Sequence, residues 1–249
     1  MADNRKFQAS KRIDRPSKKA VSASSSLNRR KSTSSEDVHS DMTFTDRAYA
    51  QIEEMVVTLQ LPPGTVLSEL VLANRLGIGR TPIREALQRL SRDGLVNILP
   101  RRGVLVSDID IRSQLRLLEV RRELDRLIAR SAAKRATQEE QAQFLALAAE
   151  IRQAGEKVDD IAFMRLDQKF NTLIALVARN EYAKRAMGLM SGLSRRFWYQ
   201  HYKQTADLPL AARLHAEVAE AVAARDPDAA ARASDKLIDY IESFARSTL

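Results

Sequence analysis

Residues 76–95, LGIGRTPIREALQRLSRDGL, constrain this chain more than any other stretch. Four arginines, Arg80, Arg84, Arg89 and Arg92, surround one short apolar stripe, with Pro82 near its start. At about 100° per residue, a helix over Thr81–Arg92 puts Ile83, Leu87 and Leu90 on one face. Arg84, Glu85, Gln88 and Arg92 fall on the opposite face, and Arg80 and Thr81 stand at the entrance. Thr81 reads as the N-cap and Pro82 as the first helical residue, where its missing N–H is harmless. Asp93-Gly94 ends the helix. One side is built for burial against Leu72, Ala73, Leu76 and Leu95, and the other carries guanidinium and amide groups outward.

The flanking segments give that helix a setting. DRAYAQIEEMVVTLQL carries Ala48, Ile52, Met55, Val56 and Leu59 at helical spacing. Pro62, Pro63 and Gly64 break it, and Thr65–Leu67 has room for a short strand. Ser68 caps a helix that stops at Gly77. After the arginine-rich helix, LVNILPRRGVLVSDI reads as two β-rich runs around a Pro100–Gly103 turn. The order is helix, short strand, helix, helix, hairpin. A helix of about 12 residues with a basic N-terminal end fits a DNA major groove. Its free N–H groups favour phosphate, and arginine forks suit phosphate and guanine edges alike. Arg101 and Arg102 at the hairpin tip supply a second basic contact, and Gly103 lets the turn approach closely.

Charge placement agrees. The chain carries a formal +9. Residues 1–40 hold ten Lys/Arg against four Asp/Glu, and residues 75–102 hold seven against two. Basic charge concentrated in two places points to a polyanionic partner. The first of these segments has ten serines and no apolar period, so residues 1–42 read as a disordered basic arm. Residues 43–109 read as the DNA-binding domain.

Beyond Ile109 the pattern is helical, in six segments near 110–135, 138–157, 159–179, 181–203, 209–225 and 227–246. Such lengths and short connections make an antiparallel α-helical bundle over 110–249, so the fold class is mainly α. Three polar groups interrupt its apolar faces. Asp167 and Asn171, four apart, share a helix face with Phe163, Leu166, Phe170 and Ile174, and His215 lies on a later helix. Carboxylate and imidazole on facing helices make a metal site, a buried hydrogen-bonded pair, or a contact for an organic ligand. Arg121 shares its face with Leu117, Leu118, Leu124 and Ile128, a poor place for an unpaired charge. It either meets a ligand carboxylate or pairs with Glu119, Asp125 or another helix. RRFWYQHY, with Arg195, Arg196, Trp198, Tyr199, His201 and Tyr202, lines a pocket, a dimer face or the core.

The rival classes are weaker. No cysteine is present, which fits a reducing cytoplasm and removes thiolate sites. No run approaches the ~20 apolar residues of a membrane span. Nucleophile elbow, P-loop and dinucleotide fingerprint are missing, so the chain does not read as an enzyme. A nonspecific architectural DNA binder needs charge alone, not a helix-plus-hairpin reader.

The segment PGTVLSELVLANRLGIGRTPIREALQRLSRDGLVNILPRRGVLV resembles the N-terminal domain of the GntR family of bacterial transcription regulators. The matching residues are Pro63-Gly64, Leu67, Glu69, Leu76-Gly77, Arg80-Thr81-Pro82, Arg84-Glu85-Ala86-Leu87, Leu90, Gly94-Leu95 and Arg102-Gly103. Gly79 departs from the usual serine, at the loss of one hydroxyl contact. The resemblance implies a winged helix-turn-helix bound to double-stranded DNA through Arg80, Thr81, Arg84, Gln88, Arg101, Arg102 and Gly103. The C-terminal half resembles the FCD domain, the helical effector domain of the FadR branch of that family. Metal-binding members carry an Asp, a His or Asn four residues on, and two later histidines. Asp167, Asn171 and His215 fall on the first three positions, and Leu237 stands at the fourth. The resemblance thus implies a small-molecule effector, an organic acid, at Arg121, Asp167, Asn171 and His215, with a divalent Zn, Ni or Mn ion as the cofactor to consider. It also implies a homodimer on an inverted-repeat operator, acting as a repressor in the bacterial cytoplasm. The alternative is a metal-responsive or effector-independent regulator.

Overall fold

Thr43 opens the first helix of the computed structural model, which describes residues 42–205 and 207–248. The arm expected over residues 1–42 lies outside these, apart from Met42. The Thr43 hydroxyl accepts the Asp46 N–H at the start of α1 (Phe44–Val57), and Ala48, Ile52, Met55 and Val56 turn inward. The turn at Pro62–Gly64 leads to β1 (Val66–Leu67). Gly64 sits there at φ +80°, where a side chain is disfavoured. Ser68 caps α2 (Glu69–Leu76), and Gly77 ends it in the left-handed conformation.

Helix α3 (Arg80–Arg92) starts earlier than its sequence suggests. Its N-cap is Gly79, not Thr81, and Pro82 is the third helical residue. Gly79 keeps an extended backbone, and its carbonyl accepts the Ile83 N–H at 3.3 Å. Proline is tolerated throughout a first turn, because none of those N–H groups has a partner inside the helix. No side chain caps this end. Ile83, Ala86, Leu87 and Leu90 are buried, as the apolar stripe predicts. β2 (Val96–Leu99) and β3 (Gly103–Val106) form the hairpin, and β3 lies between β1 and β2 in an antiparallel sheet. Leu99 pairs with Gly103 at its tip. Helices α1–α3 and the sheet share one core around Ile52, Val56, Leu72, Leu87, Leu95 and Val106.

The bundle follows as α4 (Ile111–Arg135), α5 (Gln138–Glu156), α6 (Asp160–Val177), α7 (Glu181–Thr205), α8 (Leu208–Ala223) and α9 (Pro227–Arg246). Asp110, Asp159, Asp207 and Asp226 cap α4, α6, α8 and α9 with side-chain carboxylates. Thr137 and Glu140 cap each other's backbone at the start of α5. Helix α4 packs on α9, and α8 lies against both α5 and α9. Gly155 lies inside α5. A β-carbon there would lie 2.4 Å from Cβ of Ala212, so its absence lets α5 and α8 close together. Helix α7 touches both halves of the fold, packing on α4 and on α1.

Candidate DNA interface and effector cavity

The basic face forms as the wheel places it. Arg80, Thr81, Arg84 and Gln88 are exposed along α3, and Arg101, Arg102 and Gly103 are exposed at the hairpin tip. Arg101 takes φ +61° and Gly103 φ +95°, which folds the tip into a narrow projecting turn. Arg84 is not free. Its Nε and Nη2 donate to the two carboxylate oxygens of Glu69 on α2, at 2.9 and 2.8 Å. Arg80 stands 3.7 Å from the same carboxylate. These arginines hold the Glu69 carboxyl below its ordinary range, with the Arg84 hydrogen bond first among the causes. Arg89 lies off this face, over the Tyr49 ring and paired with Asp46. Glu85 accepts the Thr45 hydroxyl, a structural tie between α1 and α3.

Arg121 on α4, Asp167 and Asn171 on α6 and His215 on α8, from three segments of sequence, line one cavity in the bundle. Phe163, Ser194, Arg195, Trp198 and Tyr240 complete much of its wall. Asp167 Oδ1 lies 3.1 Å from His215 Nε2 and accepts the Asn171 amide at 2.9 Å. The same amide donates to the Asp167 carbonyl, also at 2.9 Å. His215 Nδ1 is 2.8 Å from the Ala211 carbonyl, which fixes the ring's orientation, and Phe163 and Phe170 meet the ring edge-on. Of the partners open to Arg121, the structure selects Asp125 one helical turn on, reached through Nε and Nη2 at 3.1 and 2.8 Å. Arg121 Nη1 donates to Ser194 Oγ at 2.8 Å. Trp198 of the aromatic run lines the cavity and also packs on Phe163, Tyr240 and Phe244.

The buried carboxylates differ in their charge balance. Burial pushes the Asp167 carboxyl up, but the His215 hydrogen bond and the charges of His215, Arg195 and Arg121 outweigh it and hold it below the ordinary value. For Asp125, burial prevails over Arg121, and its carboxyl is raised. Burial likewise raises Glu53 despite Arg195 beside it.

Glu53 has no place in the sequence reading of the site, and Arg195 enters it only as part of RRFWYQHY. Glu53 lies on the inward side of α1, 5% exposed, and accepts Arg195 Nη1 at 3.3 Å and the Gln168 amide at 3.1 Å. Arg195, 8% exposed, brings Nε to 3.6 Å from Asp167 Oδ2. Its neighbour Arg196 donates to the carbonyls of Ser107 and Asp108, at 3.0 and 2.9 Å, where the chain leaves the hairpin for α4. The only signal in the sequence is a pair of arginines inside an otherwise apolar helix face.

The residues do not suit the divalent ion that the resemblance implies. Such a site takes three or four nitrogen, oxygen or sulfur donors. Here Asp167 and His215 offer one each. The Asn171 amide presents its N–H side to Asp167. Leu237, at the fourth position, is buried and turns toward an adjoining space beside Phe170 and Ile174. Among the described residues no three His, Cys, Asp or Glu side chains come together as a metal-binding group. The guanidinium of Arg195 already stands against Asp167.

Comparison with known proteins bears on both halves. Residues 44–106 match the bacterial regulatory proteins of the gntR family, and residues 116–240 match the FCD domain. The HTH-type transcriptional repressor RspR of Escherichia coli K12 is 27% identical over 198 residues, covering 80% of this chain and 87% of that protein. The Nta operon transcriptional regulator of Aminobacter aminovorans is 30% identical over 127 residues, 51% of this chain and 60% of that one. In three dimensions the chain is similar to E. coli McbR/YncC, with a TM-score of 0.70 at 20% identity, over 83% of this chain and 99% of the other. Among the described residues no helix is long and apolar enough to cross a membrane.

Proposed function

This chain belongs to the GntR family of bacterial regulatory proteins and carries its FCD domain, so it is a DNA-binding transcription regulator, and on that premise we propose that it is a repressor released by a small organic acid. The acid binds in the bundle cavity, and the operator is held by Arg80, Thr81, Arg84 and Gln88 on α3 with Arg101, Arg102 and Gly103 on the hairpin. The observation that carries the effector reading is the convergence of Arg121, Asp167, Asn171 and His215 on one cavity. Arg121 and Arg195 supply guanidinium groups, and the aromatic wall takes the apolar part of the ligand. An incoming carboxylate shares Arg121 with Asp125, whose raised carboxyl can take up a proton in compensation. Repression follows because obstructing a promoter needs no surface beyond the DNA-binding one.

The protein works as a homodimer in the bacterial cytoplasm, since two half-sites of an inverted repeat require two reading domains related by symmetry. The test is a thermal-shift screen of wild type against small carboxylic acids, followed by operator titration with each hit. A specific acid should raise the melting temperature, weaken the operator complex and lose both effects in Arg121→Ala. If no acid moves either quantity, the effector reading is wrong. If no duplex selected from genomic fragments is bound over competitor DNA, the assignment of the basic face is wrong.

A further inference from the structure

The cavity lacks a ligand set for a metal, yet it holds a fixed positive charge. Arg195 enters from α7 with its side chain nine-tenths buried. One end of its guanidinium touches the cavity, with Nε 3.6 Å from Asp167 Oδ2. The other end leaves the bundle, with Nη1 donating to Glu53 on α1. Helix α1 packs directly on the DNA-reading helix α3. One planar group therefore spans the 142 residues of sequence between effector cavity and reading domain. Its Nε–H is buried and makes no hydrogen bond. An unspent buried donor is costly, and an acceptor arriving in the cavity relieves that cost.

We propose that Arg195 is the fixed cation of the effector cavity, in place of a metal ion, and that an acid bound there loosens the reading domain by drawing this guanidinium off Glu53. This rests on the organic-acid reading of the cavity. A carboxylate set side-on against Nε and Nη2 makes the two-pronged contact that arginine favours. The present contact to Glu53 is a single bond of 3.3 Å. The guanidinium is rigid and planar, so turning it toward the cavity lengthens its reach to Glu53. Glu53 does not follow freely, because its other carboxylate oxygen accepts the Gln168 amide at 3.1 Å. Glu53 then stays with α1 while Arg195 moves with the cavity, and the reading domain loses a fixed point.

Two measurements test the proposal. Metal content of the purified protein should be below about one-tenth of an equivalent, and Zn, Ni, Mn or EDTA should leave the melting temperature unchanged. A stoichiometric ion, or a metal-induced rise, overturns the Arg195 assignment. Glu53→Gln keeps the shape but removes the charge. It should weaken operator binding about tenfold with no acid present. Acetate, succinate, citrate and benzoate are the probes; whichever of these stabilises wild type should still stabilise Glu53→Gln while no longer changing its operator affinity. Wild-type affinity and wild-type response in Glu53→Gln overturn the link and leave the acid reading standing. If none of the four stabilises wild type, the competition step falls together with the acid reading. The link between α7 and α1 is then judged by operator affinity alone. Arg195→Lys, which keeps the charge but loses the fork, should reproduce the loss of acid response and guards against a folding defect in the first variant.

Discussion

Arg84 and Glu69 are joined by two hydrogen bonds, Nε to Oε1 at 2.9 Å and Nη2 to Oε2 at 2.8 Å. The pair links α3 to α2 on the exposed basic face. It ties the guanidinium to one partner in the absence of DNA, which removes part of the ordering cost of binding. In the proposed DNA contact it also sets a carboxylate beside the phosphate backbone. The arginine is positioned by a group that any phosphate contact must share or displace.

The first prediction follows from that placement. Arg84→Ala should weaken operator binding by at least ~1 kcal/mol with the fold unchanged, since the side chain is 58% exposed and its bonds to Glu69 lie at the surface. Fluorescence anisotropy titration reads the affinity, and far-UV circular dichroism reads the fold. Glu69→Gln should act the opposite way on nonspecific DNA. Losing a negative charge near phosphate raises affinity for any duplex and narrows the gap between operator and random sequence. Equal affinities of wild type and Arg84→Ala would remove α3 from the interface.

Much of this was legible in one chain, and the exceptions have physical causes. Helical period and terminal signals placed all nine helices of the described residues, because caps and breaks are local chemistry. Ser68, Gly77, Thr137 and the aspartates before α4, α6, α8 and α9 each act within four residues. The start of α3 was misplaced for the same reason: Thr81 has cap chemistry, but Gly79 has the extended backbone. Asp167, Asn171, His215 and Arg121 were found as polar groups on apolar faces. The sequence leaves the partner of Arg121 open among Glu119, Asp125 and another helix; the structure pairs it with Asp125 at i+4 and adds the Ser194 hydroxyl of α7. The contact between Glu53 and Arg195 was not legible. Nothing local marks a pair so distant in sequence, and each residue alone reads as one charge within an amphipathic helix.

Gly155 carries a stability prediction. A β-carbon there would meet Cβ of Ala212 at 2.4 Å and Cα of Pro209 at 3.4 Å, neither able to swing aside. Alanine gains up to about 1 kcal/mol of helix propensity over glycine, but overpacking of a close helix pair costs about 1–3 kcal/mol. With the full propensity gain set against that cost, Gly155→Ala should lower stability by up to about 2 kcal/mol in urea unfolding. Adding Ala212→Gly should recover most of the loss. A stabilised Gly155→Ala would mean that α5 and α8 separate without cost.

Val158 offers the reverse. It follows the end of α5 at φ +53°, a left-handed conformation ill suited to a β-branched residue, and its side chain is 64% exposed. Glycine there removes a strain of about 1–2 kcal/mol and gives back up to about 1 kcal/mol through the freer unfolded chain. Val158→Gly should raise stability by about 0.5–1 kcal/mol, read by thermal unfolding, without altering operator binding.

Glu53 makes the link between cavity and reading domain sensitive to pH in a defined direction. Burial raises its carboxyl above the ordinary 4.5; Arg195 and Arg89 oppose the shift, Asp93 adds to it, and the Gln168 amide opposes it. Between pH 4.5 and that raised value the folded protein holds this proton more tightly than the unfolded chain does. The contribution is therefore fully present below 4.5 and is lost as pH rises through the raised value. Asp167 is shifted downward, so its own contribution is lost only on acidification below 3.8 and stays outside this window. Asp125 is raised too, but it is common to wild type and Glu53→Gln and cancels in their difference. Urea unfolding of both proteins from pH 4.5 to 7.5 should show wild-type stability falling relative to Glu53→Gln as pH rises. The slope is at most about 1.4 kcal/mol per pH unit and flattens once Glu53 is ionised. A difference that grows with pH would mean that Arg195 overcomes burial and that the pair is a tighter clamp than its 3.3 Å contact implies.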